Sequence, residues 1–150
     1  MLRKYRMGFD CWALILFLLI MLPTWLWLAI PAPNDVLRSE SVTPGLAGIG
    51  MFCQMAFLFL LCTFLHQERR GLAPGIMLCL CISCILMYYG GWGLYYSGFA
   101  GWLSILLMTI PPCLAFGFYA LHQRCCIALI PIGLFTLCHG ISALVNHVFW

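Results

Sequence analysis

Charge is what this sequence has least of. Of its 150 residues 7% are charged and 65% are hydrophobic, where a soluble domain carries about 25% charged residues. So little charge excludes a water-soluble domain. No Asp, Glu, Lys or Arg lies deep in any long apolar run. Proton-coupled pumps and many ion carriers place such residues inside the membrane, so their absence argues against a charge-relay transporter. Also missing are a His-Glu-x-x-His pair, facing intramembrane aspartates, a Ser–Lys arrangement for peptide cleavage, and a glycine-rich phosphate loop followed by Lys. With them go the usual grounds for metalloprotease, intramembrane protease and nucleotide chemistry. No cofactor is implied and no internal repeat is evident.

What the chain does have is five apolar runs: Cys11–Ile30, Leu46–Leu65, Pro74–Tyr96, Trp102–Leu121 and Cys126–Val148. Each has about the 20 residues that a helix needs to cross a ~30 Å hydrocarbon core. The pattern predicts an all-α integral membrane bundle of five transmembrane helices, in one domain spanning residues 1–150. The net charge of +3 does not indicate nucleic acid, because the basic residues flank the spans and form no separate face. The basic N-terminus resembles a signal peptide, but its apolar stretch exceeds the ~7–15 residues of a signal core. Ile30 and Pro33 also spoil the cleavage site, so the reading is an uncleaved signal anchor. Arg3, Lys4, Arg6, Arg69, Arg70 and Arg124 fall in one alternating set of breaks and Arg38 alone in the other. Basic residues collect on the cytoplasmic side, which predicts the N-terminus inside and Trp150 outside.

Several residues are candidates for more than spanning. The outer break Pro31–Pro44 holds Asp35, Arg38 and Glu40, the densest polar cluster; it is a solvated connector or a lid over a ligand. Asn34 is a candidate cap for a short interfacial helix there. Thr43 before Pro44 reads as a helix cap, and Gly45, Gly48 and Gly50 as sites of close helix contact. Gln54 must find a partner on another helix. Tyr88–Tyr96, with Trp92, reads as an aromatic belt at the interface or as a face for a cation or quaternary amine. Pro23 frees the Leu19 carbonyl, and Pro111-Pro112 frees those of Leu107 and Met108, so both helices should kink. The ten cysteines avoid the outer breaks and act as small apolar residues. Cys79, Cys81 and Cys84 point to different sides of a helix, which makes a metal site implausible.

The last run is the best candidate for a site wall. His139, Ser142 and Asn146 share one stripe, with His147 a quarter turn away. Gly133, Thr136, Gly140 and Ala143 form a second stripe, and Ile130, Leu134, Leu137 and Ile141 form part of an aliphatic side. The polar stripe should face protein. It either hydrogen-bonds Gln54 or the carbonyls freed near Pro23 and Pro111, or lines an outward-opening pocket with Asp35 or Glu40 at its mouth, suited to a cationic or metal ligand. The candidate ligand-binding set is therefore His139, Ser142, Asn146, His147, Gln54, Asp35, Glu40 and Trp92; no catalytic residue and no metal ligand is named. The leading functional expectation is a non-enzymatic binding or accessory protein whose site opens to the outer leaflet. Its partners would be membrane lipid and a small ligand or another membrane protein. A facilitator for a neutral solute and a membrane-embedded enzyme using His139 or His147 are the alternatives.

The stretch from Phe9-Asp-Cys-Trp-Ala-Leu-Ile through Ile30-Pro-Ala-Pro-Asn-Asp-Val-Leu-Arg-Ser-Glu-Ser-Val-Thr-Pro44 resembles the start of a family of small polytopic membrane proteins of Gram-positive bacteria. The similarity covers about residues 9–54, Gln54 included, and Pro-Ala-Pro-Asn-Asp is its most specific part. It implies a bacterial inner membrane and carries over no activity, ligand or catalytic residue.

Overall fold

In the computed structural model, which describes residues 4–33, 35–39 and 42–147, each apolar run forms one long helix. These are α1 (Cys11–Ala29), α2 (Pro44–Thr63), α3 (Ile76–Tyr96), α4 (Trp102–His122) and α5 (Leu129–His147), the last entered through a 3-10 turn at Cys126–Ala128. All five are long and apolar enough to cross a membrane, and the fold is an all-α helical bundle. Val148 and Trp150 lie outside the described residues, so the expected end of the last span is not defined.

α4 is the central helix. Its span is 61% buried, against 17–28% for the other four. α3 packs along α4, α2 along α5, and α4 also touches α5, while α1 lies more lightly against α2, α3 and α4. The tight α3–α4 approach depends on Gly91, where a Cβ would sit 2.8 Å from Leu107 Cβ. At Gly50 a Cβ would meet only Cys138 Cβ, at 3.7 Å, and Phe135. Gly45 and Gly48 face open space, so of the three expected contact glycines only Gly50 is one. α4 continues through the buried Pro111-Pro112 pair without losing helical form. Just before the pair, the Thr109 hydroxyl donates to the Ile105 carbonyl at 2.7 Å. The aliphatic side of α5, with Ile130, Leu134, Leu137 and Ile141, is exposed, as lipid contact requires.

Two short strands depart from the expected pattern. β1 (Tyr5–Met7) pairs antiparallel with β2 (Phe64–His66), Tyr5 opposite His66 and Met7 opposite Phe64. The second helix therefore stops at Thr63, not Leu65. The incoming N-terminal chain satisfies the carbonyls its last turn leaves open: Gly8 N–H donates to Thr63 O at 3.1 Å and Asp10 N–H to Cys62 O at 2.8 Å. Asp10 stands at the mouth of α1, where the sequence makes an interfacial carboxylate tolerable. It is 3% exposed, caps α1 through Trp12 N–H (3.0 Å) and accepts from the Tyr119 hydroxyl (3.1 Å). Arg69 stands 3.8 Å from it. At the same end Arg124 pairs with Glu68, and Gln123 Nε2 donates to the Gly71 carbonyl.

The tyrosines of α3 are more than an interfacial belt. Pro23 cannot donate to the Leu19 carbonyl, and Tyr89 supplies the missing hydrogen bond at 2.7 Å. Tyr88 donates to Ile20 O at 2.8 Å and Tyr96 to Ile30 O at 2.7 Å. These hydroxyls tie the lightly packed α1 to the rest of the bundle. In a membrane, backbone groups that a proline frees must be satisfied internally.

Candidate functional site: a cavity between the helices

The end of the bundle that carries the 31–43 connection encloses a cavity of about 430 Å³. α1 and α2 both line it, and they are tied to each other at the opposite end of the bundle by the Asp10 N–H to Cys62 carbonyl bond. α1 contributes Ile20, Met21, Thr24 and Trp27, and α2 contributes Leu46, Ala47, Gly50, Met51 and Gln54. α3 adds Tyr88 and Trp92, and α4 adds Ile105, Met108, Thr109, Pro112, Cys113 and Phe116. α5 closes the wall with Phe135, His139, Ser142, Ala143 and His147, and Leu37 covers it from the connection. Ala47 and Met51 are exposed, so the cavity reaches the surface beside α2. Its floor is filled by Phe57 and Phe116, whose rings lie 4.8 Å apart.

The wall is apolar with a few polar groups, the composition of small-molecule sites, and among the described residues it contains no Asp, Glu, Lys or Arg. Most of its polar groups have partners. The Thr24 and Tyr88 hydroxyls are 3.4 Å apart, and Ser142 Oγ is 3.0 Å from Thr43 Oγ1. The His139 ring stacks on Phe135 at 5.2 Å. Gln54 Nε2 reaches only the weak acceptor Met21 Sδ, at 3.8 Å. Trp92 Nε1 and His147 Nδ1 are buried and make no hydrogen bond of normal geometry among the described residues, although the Tyr88 hydroxyl stands beside the indole and the Val36 backbone beside the His147 ring. A buried polar group left unpaired costs about 1–3 kcal/mol, so two in one wall are a strong feature. The third such atom, Gln123 Oε1, is at the opposite end of the bundle.

Five of the eight sequence candidates, Gln54, Trp92, His139, Ser142 and His147, therefore meet in one wall. Asn146 is not among them. Its Oδ1 accepts from Val42 N–H at 2.6 Å and its Nδ2 donates to Thr43 Oγ1 at 2.8 Å and to the Ser142 carbonyl at 2.6 Å. It fastens the start of α2 to the end of α5. Thr43, expected to cap α2, makes no side-chain cap; its hydroxyl is turned to α5 instead.

Asp35 is not an open carboxylate at the mouth. It accepts from Trp27 Nε1 (2.9 Å) and the Tyr95 hydroxyl (2.9 Å) and pairs with Arg38 Nε at 2.8 Å. Arg38 in turn donates to the Trp27 carbonyl and lies over the Trp27 ring, 5.3 Å from its centre. Leu37 N–H donates to the Tyr95 hydroxyl at 3.2 Å. This clamp folds the 3-10 turn Val36–Arg38 down so that Leu37 enters the cavity roof. Burial alone would raise the Asp35 pKa; the hydrogen bonds from Trp27 and Tyr95 and the Arg38 charge outweigh it and hold the carboxyl below its ordinary value. With Asp35 saturated by these partners, it cannot complete the cationic or metal site expected with His139. Among the described residues no three His, Cys, Asp or Glu side chains gather as a metal site. Glu40 and Asn34 lie outside the described residues.

Sequence reasoning missed Trp27, Tyr95 and Thr24. The signal was present in part: an indole and a phenol at the helix ends that flank the outer carboxylates Asp35 and Glu40. Cys125, between α4 and α5, is buried, and burial pushes its thiol up, in keeping with cysteines that pack as small apolar residues. Compared with protein-family models, curated proteins and solved structures, the chain matches none.

Proposed function

We propose that this protein is a non-enzymatic, multi-pass membrane protein that holds a small ligand in the cavity between its helices. The observation that carries the reading is the pair of buried, unpartnered groups, Trp92 Nε1 and His147 Nδ1, in the wall of one cavity of about 430 Å³. Burying such groups without a partner is costly, and a ligand in the cavity removes that cost. By the positive-inside rule the cavity opens to the outer leaflet, because the strongly basic end is the other one. The resemblance over residues 9–54 to membrane proteins of Gram-positive bacteria supports a bacterial cytoplasmic membrane as its place. A facilitator is less well supported, since Phe57 and Phe116 fill the floor where a path would continue.

Native mass spectrometry of the protein, carried from its own membrane into nanodiscs, tests the reading. The expected result is a bound small molecule on the wild type. It should be lost in Ala47→Trp, which plugs the rim, while the protein stays folded with unchanged helix content. Identical spectra for both proteins, together with flux of a neutral solute such as glycerol in liposomes, would replace the binder with a facilitator.

A further inference from the structure

We infer that the ligand is an uncharged amphiphile whose polar end offers a hydrogen-bond acceptor, a carbonyl, ether or hydroxyl oxygen, to Trp92 Nε1. This rests on the binding reading above and specifies the guest. An indole N–H only donates, and Trp92, 7% exposed, makes no hydrogen bond of normal geometry to any described residue, the Tyr88 hydroxyl being an acceptor beside it that it does not properly engage. Its complement must therefore be an acceptor. His147 Nδ1 accepts or donates according to tautomer, so it tolerates a hydroxyl or a second oxygen beside the first. Among the described residues the wall offers no carboxylate, ammonium or guanidinium to offset a charge, and the ion pair of Asp35 with Arg38 is closed on itself. A charged head would lose its hydration without compensation, whereas a neutral one loses little. The apolar part has a route: Met21 and Met51 line the wall, and Met51 is exposed on the surface of α2. Thioether side chains adapt to chains of varied shape. The polar end thus sits near Trp92 and the tail leaves past Met51 at the surface of α2.

Four probes of similar length separate the possibilities in phosphatidylcholine nanodiscs: 2-undecanone, undecane, decanoate and decylammonium. The readout is the indole N–H resonance of Trp92 in ¹⁵N-tryptophan-labelled protein, assigned by its loss in Trp92→Phe, with the Trp27 resonance reporting occupancy of the same wall. 2-Undecanone should move the Trp92 signal downfield and saturate. In Trp92→Phe, followed at Trp27, its affinity should fall about fivefold, the worth of one neutral hydrogen bond. Undecane should leave Trp92 unmoved, and the two ions should bind at least tenfold more weakly than the ketone. If decanoate or decylammonium binds as well as the ketone, the uncharged class is wrong and the binding site stands. The hydrogen-bond assignment is overturned if the ketone occupies the wall without moving Trp92, or if undecane moves it equally. No response at either tryptophan from any probe would remove the binding reading itself.

Discussion

Asp35 shows why a residue's chemistry is easier to read from sequence than its employment. An outer carboxylate looks available for a cation, yet three donors, Trp27 and Tyr95 from two helices and Arg38 from its own turn, reach it first. Spacing along the chain does not record such long-range meetings. His139, Ser142, His147, Gln54 and Trp92 were legible because polar groups in hydrocarbon must turn inward; Asn146 turned inward too, but to fasten α2 to α5. The clamp makes two predictions. Asp35→Ala should loosen the roof, raising hydrogen exchange at the Leu37 amide about five- to tenfold through loss of the hydrogen-bonded cluster, while the helices keep their protection. The Asp35 carboxyl is held below its ordinary pKa in the folded state, so its stabilisation is complete above the unfolded value and disappears as pH falls through the folded one. The protection factor at Leu37 should therefore stay flat through neutral and mildly acidic pH and drop only below the ordinary carboxylate range. A drop near pH 6 would mean that some other group holds the roof.

At the scale of elements, the five helices were legible because each must satisfy its own backbone and match the bilayer alone. The strand pair was not, since a three-residue ladder forms only once the N-terminal tail meets the end of α2. Nor was the role of the α3 tyrosines: an aromatic cluster near a span end reads as a belt, and only the fold shows Tyr89 on the carbonyl that Pro23 leaves open. That pairing predicts a coupling. Interhelical hydrogen bonds in membranes average about 0.6 kcal/mol, and Tyr89→Phe should cost about that or somewhat more, because the Leu19 carbonyl has no helical donor. Pro23→Ala restores the donor. In its background Tyr89→Phe should cost less, with a coupling of about 0.5 kcal/mol or more in a double-mutant cycle read by reversible unfolding in mixed micelles. Strict additivity would show that the two residues act independently. Gly91→Ala should destabilise by about 1–3 kcal/mol through overpacking, because the new Cβ meets Leu107 at 2.8 Å; the same change at Gly48, which faces open space, should be nearly silent.

At the scale of the molecule, the two ends differ in chemistry. Lys4, Arg6, Arg69, Arg70 and Arg124 share the end where β1 meets β2 and where Asp10 is buried, and Arg38 is the only described basic residue at the other. The cavity lies toward the Arg38 end, between helices rather than in a separate domain. Its existence was not legible, because a cavity between the helices depends on how α1 is held: by Cys62 at one end and by tyrosine hydroxyls along α3. Orientation decides which compartment the cavity serves, and the charge separation makes a definite prediction. Basic residues resist translocation, so a reporter fused after Trp150 should be active only if it works outside the cytoplasm. The same reporter inserted beside Arg69-Arg70 should be active only if it works inside. An alkaline phosphatase and a green fluorescent protein fusion at each site give opposite, complementary signals when the basic end is cytoplasmic. Moving charge should then move topology. Replacing Arg69 and Arg70 with Asn and adding three lysines after Trp150 should produce a mixed population at the C-terminus, since each basic residue contributes to the bias. Matching signals from the two original fusions would require an even number of spans between the sites and would contradict α3, α4 and α5 as three successive crossings.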